Sequence, residues 1–354
     1  MKENIPFFIQ EFSEEMKDAA IHALQNENFV GGESVIKFEE EFAEYIGTKF
    51  AIAVSSGNSA LHLSLVSLGI SVNSKVITST NSFIASANCI KMSNAEPILA
   101  DINPADGNID LSSVKTKADA IIPVHIYGNP CDFDSVISYS EQHGIPIIED
   151  ACQAHGATFK NKKVGSISDV GCFSFYPTKN MTVGGDGGIA TTNNEEIAEK
   201  ISSMRDNGRG ETRNVFNRFG YTMRLNTVNA AIGRVQLRML DKKNQRRQEV
   251  AKLYRKNLRE DIILQENPYG KSVYHQIVIK HKKRDLLQKH LTEKHIQTTI
   301  HYPIPIHKQP IYESLNLKLE KSEDFSKQIL SLPSYPTIND ESIITICDEI
   351  NKIL

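Results

Sequence analysis

An α/β fold built on a mainly parallel sheet is the class this sequence predicts, and three observations carry it. Short apolar runs recur through the first two thirds of the chain: FAIAV at 50–54, KVITS at 75–79, PILADI at 97–102, AIIPVHI at 120–126 and PIIED at 146–150. Segments with helical spacing alternate with these runs, which calls for a sheet covered on both faces. The 354 residues are 40% hydrophobic with a formal net charge of −3, enough for a sizeable core and a second, smaller domain.

The elements follow in order. In SALHLSLVSL (59–68), Leu61, Leu65 and Leu68 share one face, and EEIAEKISSM (195–204) has the same spacing; both read as helices against the sheet. The run GCFSFYP reads as a short buried strand, and IATT as another after a glycine turn. From Leu225 the pattern becomes one long helical stretch to Leu258, with Val228, Ile232, Val235 and Met239 in a stripe, suited to a connecting helix. Beyond it the pattern predicts a strand (272–280), a helix (284–295), a proline-rich turn (301–310) and a last helix (341–353). The expected division is a large domain at 1–240 and a small α+β domain at 241–354.

Charge and cysteine usage exclude several classes. With 40 basic and 43 acidic residues, no global field selects nucleic acid or an anionic membrane as partner. The basic run from Arg234 to Lys256 lacks aromatic interleaving and reads as a solvated helix face. Five cysteines, odd in number and without a CxxC, argue against a disulfide framework and fit a reducing cytoplasm. No apolar run approaches the roughly 20 residues of a membrane span, and the early acidic residues do not suit a signal peptide. No metal is expected, since His301 and His307 match no ligand spacing.

In open α/β sheets ligands sit beyond the carboxyl ends of the strands, so the residues after each run matter most. After FAIAV, Gly57, Asn58 and Ser59 open a helix whose free N–H groups suit a phosphate, although the same residues serve as an ordinary helix cap. PIIED delivers Asp150, which could equally cap the next segment. FSFYP leads from Ser174 to Lys179, where a desolvated ammonium would lose basicity and become nucleophilic; a single lysine there could also snorkel to solvent. The glycines of GGDGG (184–188) permit close backbone packing. Together these fit pyridoxal phosphate, which needs a lysine for its imine, a carboxylate at its pyridine nitrogen, an aromatic face and an anion cup. Lys179, Asp150, Phe83 and the group Gly57, Asn58, Ser59 and Ser174 supply them.

Seven segments, SSGNSALHLSL, NSFIASANCI, IIPVHIYG, IIEDACQAHGA, FSFYPTKNMTVGGDGG, GYTMRLNTVNAAIGRVQL and HYPIPIHKQP, resemble in this order the sugar aminotransferases of the DegT/DnrJ/EryC1/StrS group. The resemblance covers nearly the whole chain. It implies an aspartate-aminotransferase-like (fold type I) homodimer with active sites at the subunit interface. By motif position, Lys179 would carry the cofactor and shuttle protons, Asp150 would pair with the pyridine nitrogen, and Gln153 and Phe83 would lie on the ring. Asn58, Ser59 and Ser174 would bind the phosphate. Where the family has an asparagine reaching the partner's phosphate, this chain has Thr222, whose hydroxyl can still donate one hydrogen bond. Asn229 stands where glutamine is commoner. Lysine at 179 also separates the chain from a dehydratase branch that carries histidine there. The implied reaction moves an amino group from an amino acid, L-glutamate by analogy, to a keto group of a nucleotide-linked deoxy sugar. A dehydratase or a catalytically silent regulatory protein are the alternatives. Arg224, the loop at 205–210, His301 and His307 are expected near the sugar nucleotide, and FSFYPTKN is nearer the 3-amino enzymes.

Overall fold

The computed structural model describes residues 4–212, 214–265 and 268–353. Its first part runs α1 (Glu14–Asn26), α2 (Glu33–Ile46), β1 (Phe50–Val54), α3 (Gly57–Ser67), β2 (Lys75–Ser79), α4 (Ala85–Met92), β3 (Glu96–Ala100), β4 (Ala120–Ile122), α5 (Phe133–His143) and β5 (Ile148–Asp150). A small hairpin, β6 (Thr158–Phe159) and β7 (Lys162–Lys163), precedes β8 (Val170–Ser174), β9 (Gly188–Thr192) and α6 (Glu195–Arg205). Then come α7 (Thr227–Asn257), β10 (Ile263–Leu264), β11 (Gly270–Lys271), β12 (Ile277–Lys280), α8 (Arg284–Glu293), α9 (Glu320–Gln328), β13 (Ile329–Leu332) and α10 (Asp340–Ile353).

The strands β3-β2-β4 and β5-β8-β9-β1 lie in those orders, and parallel bridges Ile121↔Ile147 and Val124↔Asp150 join the two groups into one surface. Only β9 runs antiparallel to its neighbours β1 and β8. The carboxyl ends of β1, β2, β5 and β8 therefore open onto the same edge. One face is covered by α2 and α7 through Phe38, Phe42, Phe173, Phe175 and Leu240, the other by α3 and α6 through Leu61, Leu65, Ile197 and Ile201. Burial on every side explains α3: Leu63 and His62 are as hidden as Leu61, so its apolar positions do not form a single stripe.

The second core gathers Val250, Ala251 and Tyr254 of α7 with the sheet β10-β12-β13, α8 and α10. Helix α7 starts where the Asn226 side chain accepts from the Asn229 N–H at 2.9 Å and runs unbroken for 31 residues. A division at 240/241 thus falls inside this helix, whose two halves pack in different cores.

Two strand expectations are shortened by backbone chemistry. Pro123 ends β4, since it offers no N–H, and its carbonyl accepts from Asp150 N–H at 2.9 Å. Within 272–280 only Ile277–Lys280 pairs as a strand. Tyr274 has φ 45°, and Val273 and Gln276 donate instead to the carbonyls of Gly128 and Tyr127 at 3.1 and 3.2 Å.

Phe42 is fully buried, with ring centroids 5.1 Å from Phe173 and 5.6 Å from Phe175, both edge-on. Phe42→Ala is expected to lower unfolding stability by about 3–5 kcal/mol in urea titration; a loss under about 1 kcal/mol would show that this cluster collapses to fill the space.

Candidate active site

The site forms where four strands end. Ser56 caps α3 by accepting from Ser59 N–H at 3.0 Å, while the N–H groups of Gly57 and Asn58 at the start of the turn have no intrahelical acceptor. Gly57 stands there because the neighbours leave no room: a methyl group would lie 2.7 Å from Cys152 Sγ and 2.7 Å from Ser174 Cβ. Gly188 answers a similar demand, for a Cβ there would meet the Ser56 carbonyl at 2.3 Å. The glycine turn after Lys179 thereby lets β9 pass against the capping turn.

Asp150 is buried and held in a fixed orientation. Its Oδ2 accepts from Ser86 Oγ at 2.7 Å and its Oδ1 from Cys152 N–H at 3.2 Å. The Lys179 amine shares this region: burial lowers its pKa below the ordinary lysine value, opposed by Cys152 and Asp150. Gln153 accepts from Tyr127 N–H at 2.8 Å and donates to the Tyr302 hydroxyl at 3.2 Å. The Tyr302 ring lies 6.1 Å from Phe83, which keeps 55% of its surface exposed in the single chain. An aromatic ring is thus available at the mouth of a cup lined by a carboxylate and an amine.

Three histidines surround the lysine. His155 is pushed down to about 3 and His301 to about 4, each by burial first and then by Lys179. His275 is lowered well below the usual range for the same reasons, with Arg247 adding to them. All three are neutral at pH 7, so none adds a positive charge beside the lysine.

The structure brings Gly57, Ser59, Asp150, Gln153, Ser174 and Lys179 to one edge, with Phe83 at its mouth. Ser59 Oγ is 2.9 Å from both Ser55 Oγ and Ser56 Oγ. The Asn58 side chain instead reaches α4, its Nδ2 donating to Met92 Sδ at 3.1 Å, so Asn58 offers the cup its backbone. Thr222 is exposed on another loop, where its hydroxyl donates to Asn207 Oδ1 at 3.1 Å. Arg224 is paired with Asp206. His301 joins the lysine's surroundings with Nδ1 2.9 Å from Ser331 Oγ. The expectation for His307 needs correction: its ring is buried between Thr80 Oγ1 at 2.7 Å and Glu323 Oε1 at 3.1 Å, both nitrogens taken. It braces the proline-rich turn against the end of β2 and has no free atom for a ligand. Sequence reasoning missed Ser86 and Tyr302. Both lay inside the resembling segments, Ser86 in NSFIASANCI and Tyr302 in HYPIPIHKQP.

The model of the DegT/DnrJ/EryC1/StrS aminotransferase family matches residues 10–351. The chain belongs to this family. Among family relatives, a dTDP-3-amino-3,6-dideoxy-alpha-D-galactopyranose transaminase of Aneurinibacillus thermoaerophilus is 36% identical, covering 96% of each chain. A protein of Geobacillus stearothermophilus named as a pleiotropic regulatory protein is 35% identical over 96% of this chain and 95% of its own. DesV of S. venezuelae, solved in complex with a ketimine intermediate, superposes with a TM-score of 0.95 at 32% identity over 99% and 98% of the two chains. The aminotransferase fold therefore extends over nearly all of the described residues.

Two outcomes follow for this family member. Gly57→Ala should weaken pyridoxal phosphate binding by about tenfold or more in an equilibrium titration, with the far-ultraviolet spectrum unchanged; unaltered affinity would remove Gly57 from the cup. The three buried histidines hold their folded-state pKa below the unfolded value of about 6.5. The unfolded chain then binds more protons below that value, so stability falls as pH drops from about 6.5 toward 4. His155→Leu should flatten this acid limb in thermal melts, and an unchanged limb would assign it to other groups.

Proposed function

We propose that this protein is a pyridoxal-phosphate-dependent transaminase that moves an amino group from L-glutamate to a keto group of a nucleotide-linked deoxy sugar. The observation that carries the reading is the Lys179 amine, depressed by burial and facing Asp150 beside the open first turn of α3. The names of the relatives support the substrate class, and the ketimine in DesV supports amino transfer. Lysine rather than histidine at 179 favours transamination over dehydration.

The residues present fit the cofactor. The N–H groups of Gly57 and Asn58, with the Ser59 and Ser174 hydroxyls, would hold its phosphate at the positive end of α3. Asp150, oriented by Ser86 and Cys152, would hold a proton on the pyridine nitrogen; Gln153 and Phe83 would fix the ring. When bound, the cofactor supplies an electron sink for charge left on carbon after proton loss. Lys179, whose basicity burial lowers, would act as the nucleophile and afterwards carry the proton between carbon atoms. Tyr302 and Gln153 keep water from one side by closing the small-domain turn on the site.

The large part (1–240) would bind the cofactor and the small part (241–354) would help enclose the sugar nucleotide, in a cytoplasmic homodimer. Phe83, Tyr176, Phe216 and Phe219 are each exposed in the single chain, and a second copy would cover such rings. Thr222, Arg224 and Asn229 would then face the partner's site, where Thr222 would donate to the phosphate and Arg224 would meet the anionic sugar nucleotide.

The purified protein with pyridoxal phosphate should be yellow, bleached by L-glutamate, and restored by one member of a panel of UDP-, GDP- and dTDP-linked keto sugars. Product NMR would give the ring carbon aminated. Lys179→Ala should lose both the visible band and turnover, the latter by about 1000-fold or more. Retention of both in that variant would overturn the assignment.

A further inference from the structure

We infer that Asn180 and Asn244 are positioning residues for Lys179: a buried amide relay fixes the residue after the lysine to α7 and to the segment entering the small sheet. The inference rests on Lys179 as the cofactor-bearing residue and adds how it is held. The Asn180 side chain is buried, and its Nδ2 donates to Asn244 Oδ1 at 2.9 Å and to the Val273 carbonyl at 3.1 Å. Both amide protons are thereby committed, so its Oδ1 is left to accept. His275 Nδ1 lies 3.2 Å from that oxygen. A neutral His275 must therefore carry its proton on Nδ1, and the relay assigns its tautomer.

From Asn244 the relay continues to the site itself. Asn244 Nδ2 donates to the carbonyl of His155 at 2.7 Å, five residues beyond Asp150. Asn244 thus ties the turn after β5 to the lysine loop, and Asn180 ties that loop in turn to the segment 272–276. On its other flank Lys179 is anchored through its own N–H, which donates to the Tyr176 carbonyl at 2.8 Å. The reach of the amine toward Asp150 is set by these two anchors, since an eased Asn180 side would let the loop carry the amine toward water.

A purely structural role is separable from a positioning one. Gln248, one turn along α7, binds the same segment by donating to the Ser272 carbonyl at 2.8 Å, a bond that does not pass through Asn180 or Asn244. Docking of the segment on α7 therefore has a second fastening that does not pass through the relay. The charged and titratable groups facing the Lys179 amine are Asp150 and Cys152 from the turn after β5, His155 from the same turn, His275 from the 272–276 segment and His301 from the proline-rich turn.

The test uses the full-length protein freed of cofactor and reads the acylation of Lys179 by trace acetic anhydride against pH, by peptide mass spectrometry. In the unsubstituted protein Lys179 should be half-reactive below the pH typical of surface lysines. Asn180→Ala and Asn244→Ala should each raise that midpoint by about one unit toward the ordinary lysine value. Gln248→Ala should lower the melting temperature and leave the midpoint in place. Where an alanine variant does not fold, Asn180→Ser and Asn244→Ser replace it, with a shift in the same direction expected. Midpoints unchanged in all relay variants, with melting temperatures lowered as in Gln248→Ala, would overturn the inference. A Lys179 of ordinary basicity in the unsubstituted protein would instead undo the functional reading on which it rests.

Discussion

Lowering the basicity of one amine, Lys179, is the constraint around which this molecule is arranged. An ammonium loses hydration when enclosed, and the loss is tolerated only if the proton can leave or an anion stands near. Here both conditions hold at Lys179. Asp150 lies close enough to favour the charged form, while burial favours the neutral one. Burial is the larger effect, so the amine holds its proton less tightly than an ordinary lysine does, which suits the role proposed for it.

That balance depends on silence around the lysine. His155, His275 and His301 sit close enough that a second positive charge would drive the amine further from its proton, yet burial keeps each of them neutral. Asp150 keeps its orientation through Ser86 from α4 and the backbone of Cys152. The parallel arrangement of β5 and β8 delivers Asp150 and Ser174 to one edge, and the reversed β9 returns through glycine beneath the α3 cap. Fold and chemistry are joined at that edge: shifting β8 by one residue would turn Ser174 away and point Phe173 into the cup.

Much of the large sheet was legible because its strands are short apolar runs punctuated by polar residues. Phe50–Val54 and Lys75–Ser79 appear as strands with the boundaries their pattern implied. Where a local backbone feature intervened, the pattern misled: Pro123 and the positive φ of Tyr274 cut two apolar runs short, and neither effect shows in hydrophobic spacing. The histidines were the least legible. His301 and His307 look alike in HYPIPIHKQP, and only the contacts with Thr80 and Glu323 close one of them.

The sequence by itself determined the order of elements, the α/β class, and the residues at strand ends, because these depend on near neighbours along the chain. Lys179, Asp150 and the Gly57–Ser59 turn belong to that set, as does the family likeness they carry. Tertiary structure alone decided the pairings across long separations: Ser86 with Asp150 over 64 residues, Gln153 with Tyr302 over 149, and Asn180 with Asn244 over 64. A hydrogen bond between distant residues leaves no periodic trace, since it is created by the packing of elements and not by their composition. The family likeness was therefore written locally, and the surroundings that lower the Lys179 amine's basicity were set by the fold.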